Sequence, residues 1–124
     1  MLDSYTKITV GDKTYPIAFT LNTMEKIQLE YGSFEEWYKP FIEPGNEISY
    51  KDLIWSFEQI INEGIAIDNN EGKSYTQPIT HQQAGWIISK YGQLEAIKSL
   101  FEVVGKSMPK ADDSKNSIAN PTQQ

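Results

Sequence analysis

The feature that most constrains the fold is a repeated helix-start signal, in which a short polar residue precedes an acidic or amide residue by three positions. The side-chain oxygen of such an N-cap residue accepts a hydrogen bond from a backbone N–H that lacks a helical partner. The signal occurs as Asn22 with Glu25, Ser33 with Glu36, Ser49 with Asp52, and Thr80 with Gln83. The sequence therefore predicts a chain built mostly from short, capped helices.

Apolar spacing extends these signals into helices that each have one buried face. The predicted helices cover residues 21–31, 34–39, 50–63, 81–91 and 93–104. In the first helix, the core side is assigned to Leu21, Met24, Ile27 and Tyr31.

Glycine and proline mark the predicted helix ends. Gly32 and Gly64 follow the first and third helices, where glycine is a common C-terminal stop. Pro40 ends or bends the second helix, because proline disfavours helical geometry in the residue before it.

Before the helices, apolar and polar residues alternate in a way that predicts a β-hairpin. Ile8 and Val10 alternate on one strand, Tyr15 and Ile17 on the next, and a turn-like link at 11–13 joins them. Pro16 places the second strand at an edge or at a bulge. An isolated hairpin is marginal in water, so it must pack on the helices. The predicted fold is mainly α (α+β), an N-terminal hairpin packed on a bundle of about four to five short helices.

Two segments lack helical periodicity. Residues 65–79 predict a second small hairpin or an irregular loop, and residues 106–124 predict a disordered polar tail. A length of 124 residues favours one domain, which we place at 1–105.

Composition excludes several classes of function. The chain has no cysteine, so disulfides and thiolate chemistry are excluded. Its net charge is −6 and every basic residue is lysine, which disfavours nucleic acid and anionic membranes as partners. No apolar run approaches the ~20 residues of a membrane span, and no signal peptide is evident, so the default expectation is a cytoplasmic protein.

The motifs do not predict catalysis. His81 is the one histidine and follows a predicted N-cap, which favours a surface role; a polar cleft with converging carboxylates around it would favour an enzyme instead. Residues 68–72 resemble the start of a calcium loop, but the spacing of ligands and glycine fails. We predict a non-enzymatic protein with no cofactor and no metal site.

The aromatic residues are the candidate binding residues. Trp55 and Trp86 project opposite the apolar stripes of their helices, and tryptophan often anchors protein contacts. Trp37, Tyr38 and Phe41 form a second candidate patch in and after the short second helix. Both groups have an alternative interpretation: other segments cover the two tryptophans, and the patch is a lid over the core.

The N-terminal region resembles the tail assembly chaperones of long-tailed phages and prophages. The resemblance rests on a hairpin followed by a helix with a Tyr-Gly end, in the segments Gly11-Asp12-Lys13-Thr14-Tyr15-Pro16-Ile17, Phe19-Thr20-Leu21-Asn22 and Glu30-Tyr31-Gly32. It covers mainly residues 7–32, with looser agreement to about residue 104. Short amphipathic helices, an acidic balance and a polar C-terminal segment also agree with this family.

The resemblance implies a non-enzymatic role in the host bacterial cytoplasm. Such proteins bind the tape measure protein before the tail tube polymerises, recruit tail tube subunits, self-associate, and are absent from the mature virion. Many have a frameshifted longer form, whose junction would fall at 106–124 here. Trp55 and Trp86 are then the expected client anchors, with Trp37 and Phe41 behind them. The alternative is a structural phage protein, such as a head–tail connector or tail-completion component, which mass spectrometry of purified virions would detect.

Overall fold

A computed structural model describes residues 4–72 and 74–108, which form one antiparallel hairpin and five helices. The elements are β1 (Tyr5–Val10), β2 (Lys13–Ala18), α1 (Leu21–Tyr31), α2 (Phe34–Ile42), α3 (Tyr50–Asn70), α4 (His81–Tyr91) and α5 (Gln93–Ser107). The predicted mainly helical α+β fold is confirmed. Because α5 continues to Ser107, the predicted boundary at 105 falls inside a helix, and the predicted tail from residue 109 onward lies outside the described residues.

The hairpin is regular. Pairing runs without interruption from Tyr5 opposite Ala18 to Val10 opposite Lys13, so Pro16 sits in a bulge-free edge strand. Gly11 begins the tight turn with a φ of 67°, a backbone conformation that glycine adopts without a steric cost.

Three of the four predicted caps are confirmed. Ser33, Ser49 and Thr80 each accept a hydrogen bond from the backbone N–H three residues later. The fourth was wrong, because α1 is capped by Thr20 rather than Asn22. Thr23 completes that cap: its Oγ accepts from the Thr20 N–H and donates to the Thr20 carbonyl, each over 2.6 Å.

Helix α3 is longer than predicted because Gly64 does not end it. Gly64 is buried inside the helix, at the point where β2 crosses it. A Cβ atom at Gly64 would lie 2.6 Å from the carbonyl carbon of Pro16 and 2.9 Å from the amide nitrogen of Ile17. The glycine therefore permits the hairpin backbone to lie directly on α3.

The described residues of 65–79 form no second hairpin, and only the later part of this segment is an irregular loop. Residues 65–70 are helical, and residues 74–80, which have no regular secondary structure, lead back along α3 to the start of α4. Two asparagines of α3 hold this return segment through paired amide hydrogen bonds. Asn62 bonds the backbone N–H and carbonyl of Ile79 at 2.8 and 3.0 Å, and Asn69 bonds those of Thr76, both at 2.9 Å.

One buried apolar cluster draws residues from the hairpin and from all five helices. Helix α3 lies at its centre, contacting β2, α1, α4 and α5. Burial of these side chains is the main source of stability, since each is worth roughly 1.5–3 kcal/mol. Helix α2 includes Pro40 and continues two residues beyond it to Ile42, so it does not stop at residue 39 as predicted.

Candidate protein-binding grooves

Trp37 is a core residue. Its side chain is 2 % exposed, and its indole Nε1 donates to the Ser56 hydroxyl over 2.7 Å. Ser56 in turn donates to the Asp52 carbonyl over 2.6 Å. The indole therefore has its polar atom satisfied inside the protein and offers almost no surface to a partner.

Tyr38 and Phe41 lie beside Trp37 and are half-buried. Both pack against Phe101 of α5, with ring centroids 5.5 and 6.4 Å apart. Phe34 stacks on Tyr38 at 5.2 Å. Through these contacts the aromatic residues of α2 cover the core. This arrangement agrees with the alternative interpretation, in which the patch is a lid over the core.

Trp55 is also partly covered. Its ring meets Tyr31 edge to face at a centroid distance of 5.2 Å, because the last turn of α1 packs against the first turns of α3. The Tyr31 hydroxyl donates to Asp52 over 2.7 Å. Burial, followed by this hydrogen bond, holds the pKa of Tyr31 well above its ordinary value. A residue of α1 thus covers part of the Trp55 ring.

Trp86 differs from the other two tryptophans because it remains 63 % exposed. It lies on the rim of a groove of about 340 Å³ between the turn end of the hairpin and α4, which we name the hairpin groove. The groove is lined by Val10, Lys13, Tyr15, Ile79, Gln83, Trp86, Ile87 and Lys90. Trp55 does not line this groove.

A larger groove, of about 700 Å³, opens at the start of α1, and we name it the terminal groove because Ser4 and Met108 both line it. Its apolar lining comes from Phe19, Leu21, Met24, Ile67 and Met108. Phe19 is buried at its base, whereas Leu21 is 85 % exposed.

Polar groups sit on the walls of the terminal groove. Glu63 accepts hydrogen bonds from the Thr20 hydroxyl at 2.6 Å and from the Asn22 amide at 3.2 Å. Lys106 also lines the groove and pairs with Glu102 at 3.6 Å. The groove thus combines an apolar lining with fixed charges, as ligand-binding sites commonly do.

Sequence periodicity missed the terminal groove because it assigned Leu21 to the core side of α1. The buried position in the first turn belongs to Thr23 instead, whose hydroxyl is satisfied by the Thr20 backbone. Leu21, as the first residue of the helix, extends into solvent. With Thr20 as the N-cap, Leu21 is the first helical residue and Thr23 completes the cap, a pairing that the prediction of Asn22 as the cap did not indicate.

The structure also shows the surroundings of His81 and bears on a metal site and a membrane span. His81 is exposed, and its Nδ1 lies 3.3 Å from the Glu58 carboxylate. Among residues 4–72 and 74–108, no three histidine, cysteine, aspartate or glutamate side chains are grouped to hold a metal ion. Within the same ranges, no helix has both the length and the apolar character needed to span a membrane.

Comparison of the chain with known protein families, with characterised proteins and with solved structures finds no match.

Proposed function

We propose that this protein is a non-enzymatic tail assembly chaperone that binds the tape measure protein of a long-tailed phage. The observation that carries the proposal is the terminal groove, whose apolar lining includes a leucine that is 85 % exposed. Leu21 is not an isolated exposed residue, because the half-buried Met24, Ile67 and Met108 line the same groove, and a continuous apolar surface of this kind favours a binding site.

The groove suits an amphipathic helix of the client. In this mode of recognition, apolar side chains on one face of the client helix enter an apolar groove. Leu21 and Met24 would contact the client side chains, and Phe19 would form the base of the groove. Burial of about 25 cal/mol per Å² of apolar surface would provide the driving force.

Charge supports the same role. A net charge of −6 keeps a protein soluble while it exposes apolar groups, and it opposes uncontrolled self-association. The resemblance extends the proposal to the tail tube protein, to a frameshifted longer form and to self-association as further interactions. It also places the activity in the host cytoplasm.

The test is co-expression of the tagged chain with the tape measure protein from its own genomic neighbourhood. We expect the client to become soluble and to co-purify. Leu21→Asp should reduce recovery of the client at least tenfold, because it places a charge in the apolar groove.

Leu29→Asp is the matched control, because Leu29 lies on the same helix and is 81 % exposed but does not line the groove. It should leave client recovery unchanged. An insoluble, unbound client would contradict the proposed function, and mature particles should then be searched for this chain as a structural component. Equal losses from both variants would contradict the assignment of the groove.

A further inference from the structure

The hairpin groove contains a tryptophan without internal partners. Trp37 donates to Ser56 and Trp55 packs on Tyr31, but Trp86 has neither a hydrogen bond nor an aromatic contact within the described chain. An indole that is 63 % exposed combines a large apolar surface with an unused N–H donor. Such residues are the commonest anchors of protein–protein contacts.

The charge of this groove is opposite to that of the whole protein. Its lining includes Lys13 and Lys90 and no acidic residue. Across residues 4–72 and 74–108, no carboxylate lies within 4 Å of either ammonium group. A chain with net charge −6 thus presents two unpaired positive charges beside its exposed tryptophan.

The groove is held in shape by several elements. The aliphatic end of Lys90 lies against the hairpin turn, with its Cε 2.7 Å from where a Cβ on Gly11 would be. Asn62 fixes the backbone of Ile79 by two hydrogen bonds, which sets the position of the opposite wall. These supports reduce the ordering that a bound ligand would have to impose.

We propose that the hairpin groove is a second docking surface, which binds a peptide segment of another protein that carries a bulky apolar side chain flanked by carboxylates. The apolar side chain contacts Trp86, Tyr15 and Ile79, and the carboxylates pair with the two lysines. Charge complementarity selects this occupant, because a basic or neutral segment would leave both ammonium groups unpaired. The proposal does not depend on the proposed function, because it uses a different groove.

The experiment uses the full chain and two fluorescently labelled synthetic peptides with the same central leucine and phenylalanine, one flanked by glutamates and the other by lysines. Fluorescence anisotropy should show that the glutamate peptide binds more than tenfold tighter, with an affinity that falls as salt is added. Trp86→Ala should weaken binding about tenfold or more, a typical loss for an anchor residue.

Reversing the charge of the two groove lysines tests whether they pair with the carboxylates of the peptide or whether the overall charge of the protein attracts it. Lys13→Glu with Lys90→Glu should abolish the preference for the glutamate peptide. Lys26→Glu with Lys51→Glu makes the same change in net charge at exposed positions outside both grooves, and it should keep the preference. Leu21→Asp should also leave peptide binding intact, so that failure of the client test and failure of this one are distinguishable.

Three results would overturn the proposal. The first is no binding of the glutamate peptide, or equal binding of both peptides. The second is an equal loss of preference in the two charge-reversed variants. The third is self-association of the protein, seen by analytical ultracentrifugation and removed by Trp86→Ala, which would assign the groove to a second copy of this chain.

Discussion

At the scale of single residues, the Ser56 hydroxyl satisfies the indole of a buried tryptophan. Ser56→Ala would leave the Trp37 Nε1 donor unpaired in the core. We expect the free energy of unfolding to fall by about 1–3 kcal/mol, the usual cost of a buried unsatisfied donor. Urea denaturation monitored by circular dichroism would measure this loss of stability.

Ser89→Ala is the matched control for that change. Ser89 donates to a carbonyl four residues earlier in its helix, as Ser56 does, but it is exposed and satisfies no other side chain. Its substitution should alter stability by less than about 0.5 kcal/mol. Similar losses for both serines would show that the tryptophan bond contributes little.

Tyr5 gives the protein a pH dependence in the alkaline range. Burial, with a 2.7 Å hydrogen bond to Asp68, raises the pKa of Tyr5 from 10.0 to about 12. Because the unfolded chain loses this proton first, the stabilising contribution is complete below pH 10 and is lost as the pH rises toward 12. The free energy of unfolding should therefore fall over that interval.

Tyr5→Phe should make this alkaline loss of stability smaller. Urea denaturation at a series of pH values between about 9 and 12 would compare it with the original protein. Tyr75→Phe, at an exposed position, should retain the original dependence. If Tyr5→Phe also retained the original slope, the raised pKa would not be a property of this residue.

At the scale of elements, the contact between the hairpin and α3 depends on the missing side chain of Gly64. Gly64→Ala would bring a methyl group within 3 Å of the backbone of Pro16 and Ile17, and backbone cannot rotate away. We expect a loss of about 1–3 kcal/mol, the usual range for overpacking. Thermal and urea unfolding would measure this loss.

Gly105→Ala provides the contrasting substitution. Gly105 also lies inside a helix, α5, but among residues 4–72 and 74–108 no atom outside its own stretch of helix is within 4 Å of where its Cβ would be. Alanine there should stabilise the protein by about 0.5–1 kcal/mol, since it reduces the freedom of the unfolded chain. If Gly64→Ala lowers the free energy of unfolding and Gly105→Ala raises it, the effect at Gly64 comes from close packing and not from helix propensity. A change in the same direction for both would contradict our interpretation of Gly64.

These elements also show what the sequence can predict. Caps such as Ser33 and Thr80 were recognised because their bonds join residues three positions apart. Gly64 resembles a helix stop in the sequence, because the β2 backbone that requires a glycine there lies nearly fifty residues earlier in the chain. The hydrogen bonds of Asn62 with Ile79 and of Asn69 with Thr76 join residues 17 and 7 positions apart, so helical periodicity carries no signal of them and predicts a loop or hairpin over 65–79.

At the scale of the whole molecule, the hairpin and the five helices share one buried apolar cluster. The sequence correctly indicated a hairpin on a helical bundle, because periodicity reports which faces are buried. It did not indicate the two grooves, since these form where elements far apart in sequence meet. Trp86 was the one candidate residue found on the lining of either groove.

The terminal groove is lined by both the first and the last residues of the described fold, Ser4 and Met108. A client helix in the groove would contact the start of the hairpin, the start of α1 and the end of α5 at once. Because a ligand that binds only the folded state stabilises it, local opening of either end should become rarer in the complex. Slower amide hydrogen exchange in β1 and in the last turn of α5 would report this effect.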